Sequence, residues 1–348
     1  MNRAWRTPIT GLAIALVLAT GLAGPAQATV PGDNGEIAFR RYLDPERTTG
    51  AIFAVQPDGS GERQITVPPA GFIDDDPDWS PDGARLAFIR RDNSACGEDC
   101  VLTALYVVDA DGSNLTRLLS SRPGVDCAFG GGCTFEPAWS PAGDTLAVSR
   151  VLGPFPGGEP FRSAIYLIDA DGTRLTQVTQ RGLLSTGVDE APQFSPDGRT
   201  LAFERRNIRS ARPLGGQAIW TVDVDGSNET RLTPYRLFGG DTTDWSPDGQ
   251  RILFESNENG FENVSANIYT IAMDGTDLRQ LTFARGGEVQ HFASSYSPDG
   301  RQITFARSPG AGPDGYPDIY TMTVDGQDVR RVIRDPRWDS RPDWGSAG

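Results

Sequence analysis

Phe194–Gly198 reads FSPDG, and the phrase returns as WSPDG at Trp79–Gly83, WSPDG at Trp245–Gly249 and YSPDG at Tyr296–Gly300. Trp139–Gly143 carries a worn copy, WSPAG, and Trp344–Gly345 a truncated one, WG. Proline fixes φ at the first corner, aspartate bonds nearby backbone and glycine accepts positive φ, so each copy predicts a tight turn. The strand ahead of the turn ends in the aromatic, and the strand behind it reads RLAFIR, TLAFER, RILFES or QITFAR. Between successive aromatics the steps are 60, 55, 51, 51 and 48 residues. Constant content with loops of varying length marks a structural repeat.

A second phrase alternates with the first. It reads IFAVQPDGSGERQIT at Ile52–Thr66, LYVVDADGSNLTRLL at Leu105–Leu119 and IYLIDADGTRLTQVT at Ile165–Thr179. Three more copies begin at Ile219, Ile268 and Ile319. A short β-branched and aromatic run, a DG turn and a returning run make a hairpin. Each unit therefore holds four strands, here called A to D, with A ending in the aromatic. Four antiparallel strands repeated every fifty residues or so spell a β-propeller blade. NGEIAFRR (Asn34–Arg41) is a B strand without its A, and RPDWG (Arg341–Gly345) is an A strand without its B. The expected fold is an all-β, six-bladed β-propeller of four-stranded antiparallel blades, closed by pairing the C-terminal strand with the N-terminal strands.

The stretch DDDPDWSPDGARLAFIR (Asp74–Arg90), followed by LYVVDADGSNLTRL, resembles TolB-type propeller repeats, and the resemblance covers nearly the whole chain after the leader. It implies a TolB-like propeller standing alone, since the sequence leaves no room for TolB's N-terminal α/β domain or for a peptidase domain. A role in a Tol system does not carry over with the repeat.

Residues 1–28 read as a signal peptide. Arg3 and Arg6 precede the apolar run Gly11–Gly24, and Ala26–Ala28 offers small residues for cleavage. No cysteine follows the run to take a lipid, and no later segment is long and apolar enough to span a bilayer. The domain is then 29–348, secreted or held in the periplasm or cell envelope. Formal charge is −14, with all 32 basic residues arginine. Such a surface repels phosphate backbones, which argues against nucleic acid and for a cation or a basic protein surface.

Four cysteines in an exported chain point to two disulfides. Cys96 with Cys100 and Cys127 with Cys133 are the local pairing, although other connectivities and a poorly spaced zinc site stay open. The chain has one histidine and no GxSxG elbow, so a serine hydrolase lacks its most visible parts. DADGSN (Asp109–Asn114) opens like a calcium loop but has Ser120 where a glutamate is needed.

Candidate ligands lie just ahead of the A strands. Asp74, Asp189, Asp241, His291 and Asp339 would converge at one channel mouth if strand A is innermost. There they could hold Ca²⁺ or receive a basic side chain, or else cap their own loops. The function expected is a secreted, non-catalytic binding module that recognises a protein, peptide or glycan at one face. The alternative is a metal-assisted polysaccharide lyase or hydrolase using the mouth carboxylates and His291, and a third reading is a structural subunit of an envelope complex.

Overall fold

The repeated turn forms as its residues dictate. Ser80 Oγ donates to Asp82 Oδ1 at 2.6 Å and accepts the Arg85 N–H at 2.9 Å, while Gly83 takes a φ of 65°. The Ser–Asp bond recurs at Ser195–Asp197, Ser246–Asp248 and Ser297–Asp299. Where Ala142 interrupts the phrase, Ser140 Oγ donates instead to Asp144 at 3.0 Å. Each turn also leans on its predecessor: a Cβ on Gly143 would stand 3.5 Å from Pro81, and one on Gly198 3.5 Å from Pro141.

The computed structural model describes residues 31–92, 102–120, 134–151, 163–180, 187–207, 216–257, 266–285, 289–309 and 315–348. The proposed leader at 1–28 and all four cysteines, Cys96, Cys100, Cys127 and Cys133, lie outside the described residues. Among the described residues the structure is all-β, with one 3-10 turn at Tyr235–Leu237. No helix there is long and apolar enough to cross a membrane.

The first set comprises β1 (Asn34–Tyr42), β2 (Gly50–Val55) and β3 (Arg63–Gln64). The second is β4 (Phe72–Trp79), β5 (Arg85–Asp92), β6 (Leu102–Asp109) and β7 (Thr116–Ser120). The third is β8 (Thr134–Trp139), β9 (Thr145–Val151), β10 (Ser163–Asp169) and β11 (Leu175–Gln177). The fourth is β12 (Gly187–Phe194), β13 (Thr200–Asn207), β14 (Gln217–Asp223) and β15 (Thr230–Arg231). The fifth is β16 (Gly239–Trp245), β17 (Arg251–Ser256), β18 (Asn267–Ala272) and β19 (Arg279–Gln280). The sixth is β20 (Gln290–Tyr296), β21 (Gln302–Ser308), β22 (Asp318–Thr323) and β23 (Arg330–Arg331). The last strand, β24 (Asp339–Ser346), pairs antiparallel with β1, setting Ile37 against Trp344 and Arg41 against Asp339. Within sets the neighbours are antiparallel, and the short D strands are held by a threonine: Thr66 Oγ1 accepts the Ile52 N–H, as Thr179 does for Ile165 and Thr233 for Ile219.

Hydrogen bonding does not run continuously from sheet to sheet. The third to sixth sets are separate four-stranded sheets, whereas the first and second share one eight-stranded sheet through a single parallel pair, Gly50 with Ile73. A Cβ on Gly50 would stand 3.0 Å from Ile73 Cγ2, so the absent side chain lets β2 approach β4 there.

Side chains join the sets instead. The six turn aromatics are buried, each inside a cluster drawn from two successive sets. Trp139 packs with Ala87 and Leu105 of the second set, and Trp344 with Ala306 and Ile319 of the sixth. Trp79 packs with Ala38 and Ile52 of the first set. A large ring contributes most where it fills the space between two sheets. The A strands adjoin in the order β4, β8, β12, β16, β20, β24, and β24 in turn lies against β4.

Candidate functional site

Five A strands carry a residue with positive φ three places before the aromatic: Asp76 (52°), Glu136 (50°), Ala191 (50°), Ala293 (50°) and Arg341 (57°). Non-glycine residues seldom adopt this conformation, and here it recurs at one repeat position. It coincides with a break in register, as between Asp75 and Asp78 or between Glu190 and Gln193. A bulge of this kind re-aims the side chains that follow.

Those side chains line a central cavity of about 70 Å³ in three tiers. Three places before the aromatic stand Asp76, Glu136, Ala191, Thr242, Ala293 and Arg341. Next comes a collar that includes Pro77, Pro137, Pro192 and Pro342, and then a tier with Asp78, Gln193, Asp244, Ser295 and Asp343. Five carboxylates and one guanidinium therefore share this lining.

The innermost acids bond backbone across sets. Asp78 Oδ2 accepts the Trp139 N–H at 2.7 Å, Asp244 Oδ2 that of Tyr296 at 2.6 Å and Asp343 Oδ2 that of Trp79 at 2.8 Å. Burial, reinforced by the neighbouring Asp343 carboxylate, pushes Asp78 well above the ordinary carboxylate range. Burial also lifts Asp343, to about 6. Glu136 rises through burial and the nearby Asp76 and Glu190 charges, while its Oε2 accepts the Ala191 N–H at 2.6 Å. Among the described residues, no group of three or more His, Cys, Asp or Glu side chains is placed to hold a metal ion.

A wider cavity of about 340 Å³ opens beside the first tier and shares Ala293 and Arg341 with it. Its lining includes Arg40, Asp75, Arg91, Glu255, Asn257, Gln290, Phe292 and Trp338. Arg40 Nη1 donates to Asp75 at 2.6 Å, and Arg91 Nη2 lies 3.1 Å from Asp75 and 3.2 Å from Asp76. Burial works to raise Asp75, yet the guanidiniums of Arg40, Arg91 and Arg341 outweigh it and hold this carboxyl at about 2.

The acids expected at the mouth have other partners. Asp74, Asp189 and Asp339 are fully buried, and each closes a bidentate pair with the arginine opposite on the B strand of its own set. Arg90, Arg205 and Arg41 in turn lie over Tyr106, Trp220 and Phe53 at 5.0, 4.4 and 4.8 Å. None of the three aspartates belongs to the lining of either cavity. Asp241 lies in β16, and its side chain is not among those described. His291 stands at the equivalent position of β20, opposite Arg307, with its ring 5.7 Å from Phe305. Burial, aided by Arg307, lowers His291 to about 4.

The residues that face the central cavity fall one to three places before the aromatic, whereas the wider cavity also draws on B-strand residues such as Arg40, Arg91 and Glu255. The triplet EPA (Glu136–Ala138) repeats as APQ (Ala191–Gln193), and the second set has DPD (Asp76–Asp78). A proline two places before the aromatic in four copies was the available signal: it cannot donate to a ladder, so it marks an irregularity in the strand.

No family model matches the chain. It is 31% identical over 213 residues to the Tol-Pal system protein TolB of Anaeromyxobacter dehalogenans (strain 2CP-C), covering 59% of this chain and 46% of that protein. It is 29% identical over 293 residues to the Protein TolB homolog of Chlorobium luteolum, covering 84% and 56%. The chain thus spans about half the length of these two relatives. The crystal structure of TolB from Acinetobacter baumannii superposes with a TM-score of 0.64 at 18% identity, over 91% of this chain and 68% of that one. Repeated phrases, strand order and these likenesses agree: the chain is a TolB-like β-propeller protein.

Proposed function

We propose that the chain is an exported, six-bladed propeller that acts as a non-catalytic binding module, taking a protein, peptide or glycan of the cell envelope at the mouth of its central channel. The six-bladed reading is supported by the cyclic order of the A strands and by β24 supplying the A strand of the first set. The envelope setting is supported by the leader and by relatives named as Tol-Pal system proteins.

The observation that carries the binding role is the mouth itself. Buried polar atoms are left without hydrogen-bond partners around the two adjoining cavities: Arg40 Nε and Asn257 Oδ1 at the wider one and Ser294 Oγ at the narrower one. Buried polar groups are normally satisfied, so a cluster at one opening marks a place where an incoming molecule supplies the bonds. The charged groups there are held by one another rather than poised to transfer protons. His291, the histidine of the rival lyase or hydrolase reading, faces Arg307 instead of a carboxylate.

Capture from envelope extract of the producing organism tests the reading. The wild-type chain should retain a partner that Gln290→Trp, which fills the mouth, loses. Equal capture by both would remove the mouth as the site.

A further inference from the structure

We infer that the 340 Å³ cavity at the mouth takes a neutral, hydroxyl-rich saccharide. This rests on the mouth being the recognition site and names the chemistry of what enters it.

The charges of the cavity are already balanced from within. Arg40 and Arg91 are tied to Asp75, and Arg91 and Arg341 to Asp76, the last at 3.4 Å. A ligand carboxylate would have to displace an aspartate, and a ligand ammonium an arginine. Either exchange trades one desolvated ion pair for another and gains little. A neutral ligand meets no such competitor.

The unsatisfied atoms are of both kinds. Arg40 Nε is a donor on a residue only 8% exposed, while Asn257 Oδ1 is an acceptor, and both residues line the cavity. Where the cavity meets the channel, Ser294 Oγ, on a residue 5% exposed, can do either. A hydroxyl donates and accepts at once, whereas a carboxylate only accepts and an ammonium only donates. A peptide carries its donors and acceptors in a row suited to a sheet edge. Here they surround a pocket.

One wall is aromatic. Trp338 and Phe292 line the cavity, and the indole is fixed by its Nε1 bond to Ser340 Oγ and by the rings of Tyr42 and Tyr316 at 6.3 and 6.1 Å. A fixed, amphipathic ring offers apolar contact at low entropic loss, which suits the C–H face of a pyranose.

Titration calorimetry with cellotetraose, mannotetraose and chitotetraose, against tetragalacturonate, tetralysine and tetra-alanine, tests the inference. A neutral tetrasaccharide should bind with Kd below about 1 mM. Trp338→Ala should weaken it by about tenfold or more and Asn257→Ala by a few-fold, with thermal unfolding of Asn257→Ala unchanged. Absence of binding by all three neutral sugars at about 10 mM, tighter binding of a charged or peptide probe, or undiminished binding by both variants would overturn it. If Gln290→Trp abolishes envelope capture while no neutral sugar binds, the mouth stands as the site and only the saccharide assignment falls.

Discussion

The carboxylate of Asp343 accepts the backbone N–H of Trp79 at 2.8 Å, across 264 residues of sequence. It joins β24 to β4 just as Asp78 joins the second set to Trp139 and Asp244 joins the fifth to Tyr296. The Trp344 N–H, bonded to Ser295 Oγ at 3.3 Å, adds a weaker version. At Asp78, Asp244, Ser295 and Asp343 the residue before the aromatic thus works as a latch onto the next set. Asp343→Ala leaves a buried N–H unpaired and should destabilise the fold by about 1–3 kcal/mol in urea unfolding. A change of less than about 0.5 kcal/mol would count against the latch.

The same aspartate sets a pH dependence. Burial raises Asp343 from 3.8 to about 6, so the folded state binds its proton more tightly than the unfolded chain does. For a carboxyl raised in this way the penalty is complete above about 6 and is relieved as pH falls toward the unfolded value. Stability should therefore gain on going from pH 7.5 to pH 5, and Asp343→Asn should flatten that gain. Parallel stability–pH curves for the two proteins would contradict it.

The Asp189–Arg205 pair is buried on both sides, and Arg205 reaches Glu229 as well. Removing one partner strands the other charge, so Asp189→Leu should cost about 3–5 kcal/mol. Adding Arg205→Met should recover much of the loss, because a buried pair is often replaceable by apolar side chains. A double variant no more stable than Asp189→Leu would show that the pair is not the reason for the loss.

His291 is the single histidine, which makes its titration unambiguous by NMR. With burial and Arg307 holding it at about 4, the ring should remain neutral from pH 8 down to pH 5. Arg307→Gln should shift the midpoint upward by removing a like charge. A wild-type midpoint near 6.5 would mean the ring is exposed rather than packed on Phe305.

Turn and strand positions were legible because each residue of SPDG or xxLT does a local job, as Ser80 does with Asp82 and Thr66 with Ile52. The residues facing the cavity were not, because a period-2 count fails across the bulge at Asp76 and its counterparts. Asp74, Asp189 and Asp339 read along the chain as a ring of acids, whereas in the fold each is paired with an arginine of its own set. The pairing was nonetheless written in the chain: each set with that aspartate has arginine two places after the phenylalanine of its B strand, at Arg90, Arg205 and Arg41. The fifth set, with Gly240 in place of the aspartate, has Ser256 there. Only the register across strands, set by the turns, shows that the two positions meet.

The joining of the first set by the last strand is tested most directly by removing residues 339–348 and following thermal unfolding. The proposed closure predicts a large fall in midpoint, about 10 °C or more, with a broader transition as β1 loses its partner and Trp79 its latch. An unchanged midpoint and an equally sharp transition would contradict it.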